Sequence, residues 1–281
     1  VEYYEKILPT LNVDLHLNEE VKNINGYDYA LLAIGAHNME MPIPHKESNI
    51  VSSWDVLNGQ EVQGDCVVIG GGLVGVETAE YLASRGCKVT IIEMMDQIFP
   101  KMIDKDMSIV VQDYLEKEDL NFMLSTAVKE IKVDDEGKVC GVITDKGELD
   151  CELVLVAAGV RPEISLAKEA GLECDRTITV NEYMQTSDPD IYAGGDCVSV
   201  THRISGEKIY APMGSTANKH GRIIGTNIAK DNVQTFPGVL GTSICKMFDW
   251  SIGKVGLTET DAVRLGYDVA TCVVPGPDIT H

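Results

Sequence analysis

Residues 67–93 read VVIGGGLVGVETAEYLASRGCKVTIIE: an apolar run, a cluster of glycines, an amphipathic stretch and a second apolar run closed by an acid. Few backbones tolerate that order. Gly70, Gly72 and Gly75 fall in the spacing G-x-G-x-x-G, with Gly71, Leu73 and Val74 between them. The flanks predict strand, then helix, then strand. Gly70 permits the tight turn and Gly72 lets a pyrophosphate approach the backbone. Gly75 lets the helix pack on the strand while its first N–H groups face the phosphates. Glu93, at the end of the second strand, is placed to accept from the adenosine ribose hydroxyls. No Lys or Arg follows in MMDQIFP until Lys101. A 2′-phosphate needs a cation where Glu93 would repel it, so the pattern predicts NADH rather than NADPH. A glycine-rich turn can also be purely structural, and an acid after a strand is often merely solvated.

The remaining composition narrows the class. The formal charge of −21 argues against nucleic acid or an anionic membrane surface, because a phosphate-binding face needs clustered Lys and Arg. No apolar run reaches the roughly eighteen residues of a membrane span, and the first residues lack the order of a secretion signal. The expectation is a soluble, cytoplasmic protein acting on small molecules. The eight cysteines show no C-x-x-C spacing and are expected to be mostly reduced and buried; no metal site is predicted. The chain opens on Val and stops at PGPDITH, which reads as a piece of something longer.

A pass along the chain predicts a short helix in EYYEKILPTL, a strand in NVDLHL and a buried strand in YDYALLAIG, making the first segment β-rich and packed. Residues 37–49, with Pro42 and Pro44, read as a connector. Strands are expected at 66–70, 87–93, about 121–124 and 153–159, with helices at 73–86 and about 105–118. AVKEIKVDDEGKVCGVITDKGELD predicts an antiparallel meander. PMGSTANKHGRIIGTNIAK reads as a helix whose Gly214, Gly221 and Gly225 would need close backbone packing to compensate their low propensity.

Three apolar strands end alike, in LLAIGA (31–36), LVAAGV (155–160) and IYAGGDC (191–197). With the glycine turn between the first two, the chain resembles the FAD-dependent pyridine nucleotide-disulfide oxidoreductases, of the NADH oxidase and coenzyme A-disulfide reductase kind. That resemblance implies an α/β, Rossmann-like architecture binding two dinucleotides. An NAD(H) domain at 65–184 is inserted into a partial FAD domain made of 1–49 and 185–235, with a linker at 50–64 and the start of an α+β interface domain at 236–281. It implies that Ala33 and Gly35 form the turn leaving the FAD domain, Ala158 and Gly159 the matching NAD-domain turn, and Gly195 and Asp196 the return. Asp196 would bond the flavin's ribityl chain or pyrophosphate. Glu77 would sit near the nicotinamide and flavin rings as the catalytic-site acid, and the helix from Met213 would aim its N-terminus at the flavin pyrimidine edge. His220 is given no catalytic role, and Cys197 is read as a buried structural thiol rather than a redox one.

The departures matter equally. The family's first FAD fingerprint and its active cysteine would precede residue 1, so these 281 residues alone are expected to hold FAD weakly or not at all. The resemblance implies a homodimer for the full-length protein and an acceptor such as oxygen, peroxide or a disulfide. NIVSSWDVLNGQEV also resembles the linker of 2,4-dienoyl-CoA reductases and enoate reductases. The continuation beyond residue 214 favours the oxidase and disulfide-reductase side. A nucleotide-binding module without turnover of its own is the remaining alternative.

Overall fold

The structure, a computed structural model, describes residues 2–21, 23–24, 26–39, 43 and 50–276. Its centre is a five-stranded, all-parallel sheet in the order Ile50–Ser52, Leu153–Val156, Asp65–Ile69, Lys88–Ile92, Leu120–Met123. Alternation along each strand sends Val68, Val89, Ile91 and Leu155 to one face and Val67, Ile69, Ile92 and Val154 to the other. The first face is covered by the helices Leu73–Ser84 and Lys105–Lys117 through Val76, Ala79, Leu82 and Leu115. The second is covered by Ile131 and Val142 of an antiparallel meander, Val128–Val133, Val139–Thr144 and Gly147–Asp150. Coverage on both faces explains why these strands are continuous apolar runs.

A second assembly joins the segments before and after the central sheet. Ala30–Leu32 pairs in parallel with Ile191–Ala193, Leu31 opposite Tyr192, so the segments flanking the central sheet meet in one ladder. The helix Gly214–Lys230 closes over it through Ile223 and Ile224, in one core with Tyr192, Ala193 and Cys197.

The C-terminal segment touches both halves. In the hairpin Ser243–Met247 and Trp250–Lys254, Cys245, Met247 and Ile252 enter the core containing Val76, Ala79 and Leu82. Trp250 stacks on Tyr114 with centroids 4.2 Å apart, and the Asp249 N–H donates to the Tyr114 hydroxyl at 3.1 Å. Asp104 precedes the Lys105–Lys117 helix without capping it. Its carboxylate instead accepts from the Glu259 and Thr260 N–H groups, at 2.7 and 3.1 Å, at the start of the helix Glu259–Arg264. Arg264 then reaches Glu207 on the other half at 3.3 Å.

Four expectations fail. NVDLHL forms no strand: residues 13–17 are exposed and unpaired with any ladder, and a strand without a partner has no hydrogen bonds to hold it. The first segment is therefore a short helix, Glu2–Ile7, a 3-10 turn, Leu8–Leu11, and exposed chain; YDYALLAIG is strand only over Ala30–Leu32 and is not buried, since Tyr27, Tyr29 and Leu31 are exposed. The stretch 50–64 is not simply a linker, since Ile50–Ser52 is the outer strand of the sheet and Ser52 and Asp55 form a capping box on the helix Ser53–Leu57. Nor do Gly214, Gly221 and Gly225 serve close packing, for no atom lies within 4 Å of where their Cβ atoms would stand. Pro42 and Pro44 lie outside the described residues.

Candidate functional site

The glycine turn is built by two close approaches and one opening. Gly70 adopts φ +115°, and a Cβ there would stand 2.5 Å from the Ala157 carbonyl oxygen. A Cβ on Gly75 would fall 1.9 Å from the Gly70 oxygen. Around Gly72, by contrast, nothing lies within 4 Å of the Cβ position, so the backbone is open to a ligand. Gly72 precedes the Leu73–Ser84 helix and offers it no side-chain cap, leaving the first N–H groups, those of Leu73 and Val74 included, to an outside acceptor at the positive end of the helix.

Glu93 closes this turn. Its Oε2 accepts from the Gly71 N–H at 2.6 Å and its Oε1 from the Met95 N–H at 2.8 Å. Each oxygen keeps a second lone pair for a hydroxyl donor. The acid that the sequence singles out for a ribose therefore also ties the turn to the second strand.

Ala33–Gly35 and Ala158–Gly159 lie far apart in sequence and are neighbours here. Ala36–Asn38 pairs antiparallel with Val160–Pro162, the Met39 N–H donates to the Gly159 oxygen at 3.0 Å, and the Glu163 N–H donates to the Gly35 oxygen at 2.9 Å. Gly35 and Gly159 both sit at positive φ, +70° and +103°. The third turn joins the first, the Gly194 N–H donating to the Leu32 oxygen at 3.1 Å. Helix Gly214–Lys230, with Met213 at its N-cap, presses on this turn so closely that a Cβ on Gly194 would stand 2.8 Å from Ile224 Cδ1.

Asp196 is half-buried, and no hydrogen-bond donor to its carboxylate occurs among the described residues; burial pushes its carboxyl up. The Tyr210 hydroxyl is buried without a partner, and its phenol is pushed up to about 12, first by burial and then by the Asp196 charge. A carboxylate and a phenol held without partners suit a polyhydroxylated ligand that supplies them. Sequence reading missed Tyr210, since a tyrosine in a short strand carries no signal of an orphaned hydroxyl. Glu77 lies on the Leu73–Ser84 helix, exposed and without a hydrogen bond or ion pair among the described residues; burial of part of its surface, then Glu80, raises its carboxyl. Contacts among the described residues do not join Glu77 to Asp196. Cys197 is fully buried and its thiol donates to the Gly194 and Leu32 oxygens, at 3.3 and 3.7 Å, as befits a packed residue.

His220 holds the third turn. Its Nδ1 accepts from the Gly195 N–H at 3.1 Å, its ring meets Phe236 edge-on, and burial lowers its pKa to about 4. The unfolded chain protonates near 6.5, so the neutral ring contributes stability that is complete above that pH and is lost as pH falls toward 4. Linkage puts the loss at about 2 kcal/mol by pH 5. Urea unfolding at pH 7 and pH 5 should show this increment in the wild type and not in His220→Gln. An equal pH dependence in both would mean that the ring is not held neutral.

Residues 12–213 match the pattern of the family described as pyridine nucleotide-disulphide oxidoreductase. The chain is 33% identical to an NAD(P)H sulfur oxidoreductase (CoA-dependent) of Pyrococcus abyssi, over 99% of this chain and 67% of that one. It is 39% identical to an NADH oxidase of Methanocaldococcus jannaschii, over 84% and 54%. The solved NAD-dependent persulfide reductase from A. fulgidus superposes with a TM-score of 0.80 at 39% identity, over 85% of this chain and 46% of that one. This chain therefore spans about half the length of the last two. The match over the strand–glycine turn–helix unit and both flanking turns establishes that the chain belongs to the pyridine nucleotide-disulphide oxidoreductase family, whose members are FAD-dependent NAD(P)H oxidoreductases.

Proposed function

We propose that this protein takes hydride from NADH and delivers the electrons, through FAD, to a small disulfide, persulfide or oxygen acceptor. The observation that carries the reading is the pairing, in one chain, of an open glycine turn at Gly72 with a second turn whose Asp196 carboxylate lacks a donor. In this reading the uncapped start of the Leu73–Ser84 helix binds the NADH pyrophosphate and Glu93 takes the ribose hydroxyls. Asp196, with Tyr210 beside it, accepts from the flavin's hydroxyl chain. A bound flavin supplies the two-electron relay between nicotinamide and acceptor. The N-terminal end of helix Gly214–Lys230 offers its partial positive charge to the flavin's electron-rich edge. Glu77, with its raised carboxyl, would serve in this reading as the acid beside the nicotinamide.

Arg203, Lys219 and Arg222 line a cavity of about 590 Å³ with no carboxylate among its lining residues, beside the apolar wall of Phe236 and Pro237. In a chain of charge −21 such a cavity favours an anionic acceptor with an apolar body. A coenzyme A thiol derivative, the cofactor named for the Pyrococcus relative, has that character. Trp250 is partly exposed and Ile244 is 70% exposed on the outer side of the C-terminal hairpin, which supports assembly as a homodimer. Among the described residues no helix is long and apolar enough to cross a membrane.

Anaerobic mixing with NADH should bleach the flavin absorbance of the FAD-loaded protein, and a coenzyme A disulfide should restore it. NADPH should need at least about tenfold higher concentration for the same bleaching, a preference of about 1.4 kcal/mol that Glu93→Ala should remove. Absence of bleaching by either nucleotide would leave the nucleotide-binding module as the better description.

A further inference from the structure

Where the antiparallel meander leads into strand Leu153–Val156, two cysteines stand opposite one another. The ladder between Val139–Thr144 and Gly147–Asp150 pairs Gly141 with Asp150. The next pair outward in the same register is Cys140 and Cys151, and the Cys151 N–H donates to the Cys140 oxygen at 3.4 Å. Hydrogen-bonded antiparallel partners hold their Cα atoms about 5.5 Å apart with side chains on one face, inside the roughly 4.4–6.8 Å that a disulfide spans. Both thiols are free and line a common cavity of about 640 Å³. Cys140 is partly exposed there and Cys151 is nearly covered.

Asp65, Asp134, Asp150 and Glu152 line the same cavity, and each neighbouring cation among the described residues is already paired: Lys138 with Glu136 at 2.9 Å, Lys88 with Asp65 at 3.6 Å, and Lys132, whose charge faces Cys140 and Asp150, with Glu148 at 2.7 Å. The wall is negative, so it attracts cationic reagents and repels anionic ones.

We propose that Cys140 and Cys151 are an oxidative modification site, closing to an intramolecular disulfide by exchange with small cationic disulfides. The Cys140 thiolate attacks one sulfur of R–S–S–R, forming Cys140–S–S–R and expelling RS⁻. Cys151, deprotonated, then attacks the Cys140 sulfur, forming the Cys140–Cys151 bond and expelling the second RS⁻. The two cysteines lose two electrons, the small disulfide gains them, and the two thiol protons end on the two RS⁻ products. Burial, followed by the neighbouring Cys140 and carboxylates, pushes the Cys151 thiol up to about 12, so the second step is slow at neutral pH and quickens as pH rises. The closed bond staples the meander to the chain entering strand Leu153–Val156.

The probes are cystamine, which is cationic, and oxidised glutathione, which is anionic. After incubation, alkylation of remaining thiols and digestion, mass spectrometry should find a Cys140–Cys151 cross-linked peptide two hydrogen masses lighter than the reduced pair. Cystamine should form it at least about tenfold faster than glutathione disulfide at low salt, and added salt should narrow the gap. In Cys151→Ser the reaction should stop at a cysteamine adduct on Cys140; in Cys140→Ser, Cys151 should stay unmodified. The oxidised wild type should melt several degrees higher than the reduced protein. Full alkylation of both thiols after prolonged oxidation, a lasting Cys140 adduct in the wild type, or a cross-link between another pair of the eight cysteines instead would overturn the proposal. Equal rates with the two probes would overturn its selectivity for cations.

Discussion

Gly72→Val is expected to weaken NADH binding by at least about 100-fold, roughly 2.7 kcal/mol, while the protein keeps its fold. Gly72 sits at φ −75°, ψ −179°, extended backbone that valine adopts freely, and nothing lies within 4 Å of the new Cβ. The side chain would therefore occupy only the space through which a pyrophosphate must approach. Gly75→Ala makes the opposite experiment. Its Cβ would stand 1.9 Å from the Gly70 carbonyl oxygen, a backbone atom that cannot rotate aside, so the turn must open and stability should fall by more than about 3 kcal/mol. Calorimetric titration with NADH alongside thermal melting separates the two. Undiminished NADH affinity in Gly72→Val would show that the open turn is not where the nucleotide lies.

In the full-length, FAD-loaded protein, Asp196→Ala should lower flavin occupancy and leave NADH affinity within about twofold. Asp196 has no donor to its carboxylate among the described residues, so little within the protein is lost on its removal. A charge-assisted hydrogen bond to a ligand hydroxyl contributes on the order of 1.5–3 kcal/mol, which corresponds to roughly 10- to 150-fold in flavin affinity. The ratio of flavin to protein absorbance after dialysis reads the effect directly. Tyr210→Phe should move the same ratio in the same direction and by less, because a neutral hydroxyl contributes less than a carboxylate. Unchanged occupancy in Asp196→Ala would return IYAGGDC to the status of an ordinary strand end.

The central unit was legible because its signals are local. Gly70, Gly72 and Gly75 prescribe a backbone by what each lacks, and alternate apolar residues in Asp65–Ile69 and Lys88–Ile92 face opposite layers as period two requires. Strand and helix positions between 65 and 123 follow from that periodicity to within about two residues. Alternation alone was insufficient at NVDLHL, where the pattern of a strand is present and no neighbouring ladder receives it. The same limit hid the strand Ile50–Ser52, whose three residues carry too little pattern to be seen and which owes its existence to Leu153–Val156 beside it.

The sequence by itself therefore determined the glycine turn, the order of strands and helices around it, and the likeness of the three Ala-x-Gly strand ends. Short-range sterics and side-chain periodicity act within a few residues of where they are written. Only the tertiary structure decided what those ends do to one another: that Leu31 pairs with Tyr192, that Ala36–Asn38 crosses to Val160–Pro162, and that Asp104 binds the backbone of Glu259 and Thr260. It also decided which polar groups are left without partners, Asp196 and Tyr210 among them, and set Cys140 opposite Cys151. Such pairings join residues up to about 160 positions apart. They depend on how whole layers pack, a sum over many weak contacts that no local stretch of sequence contains.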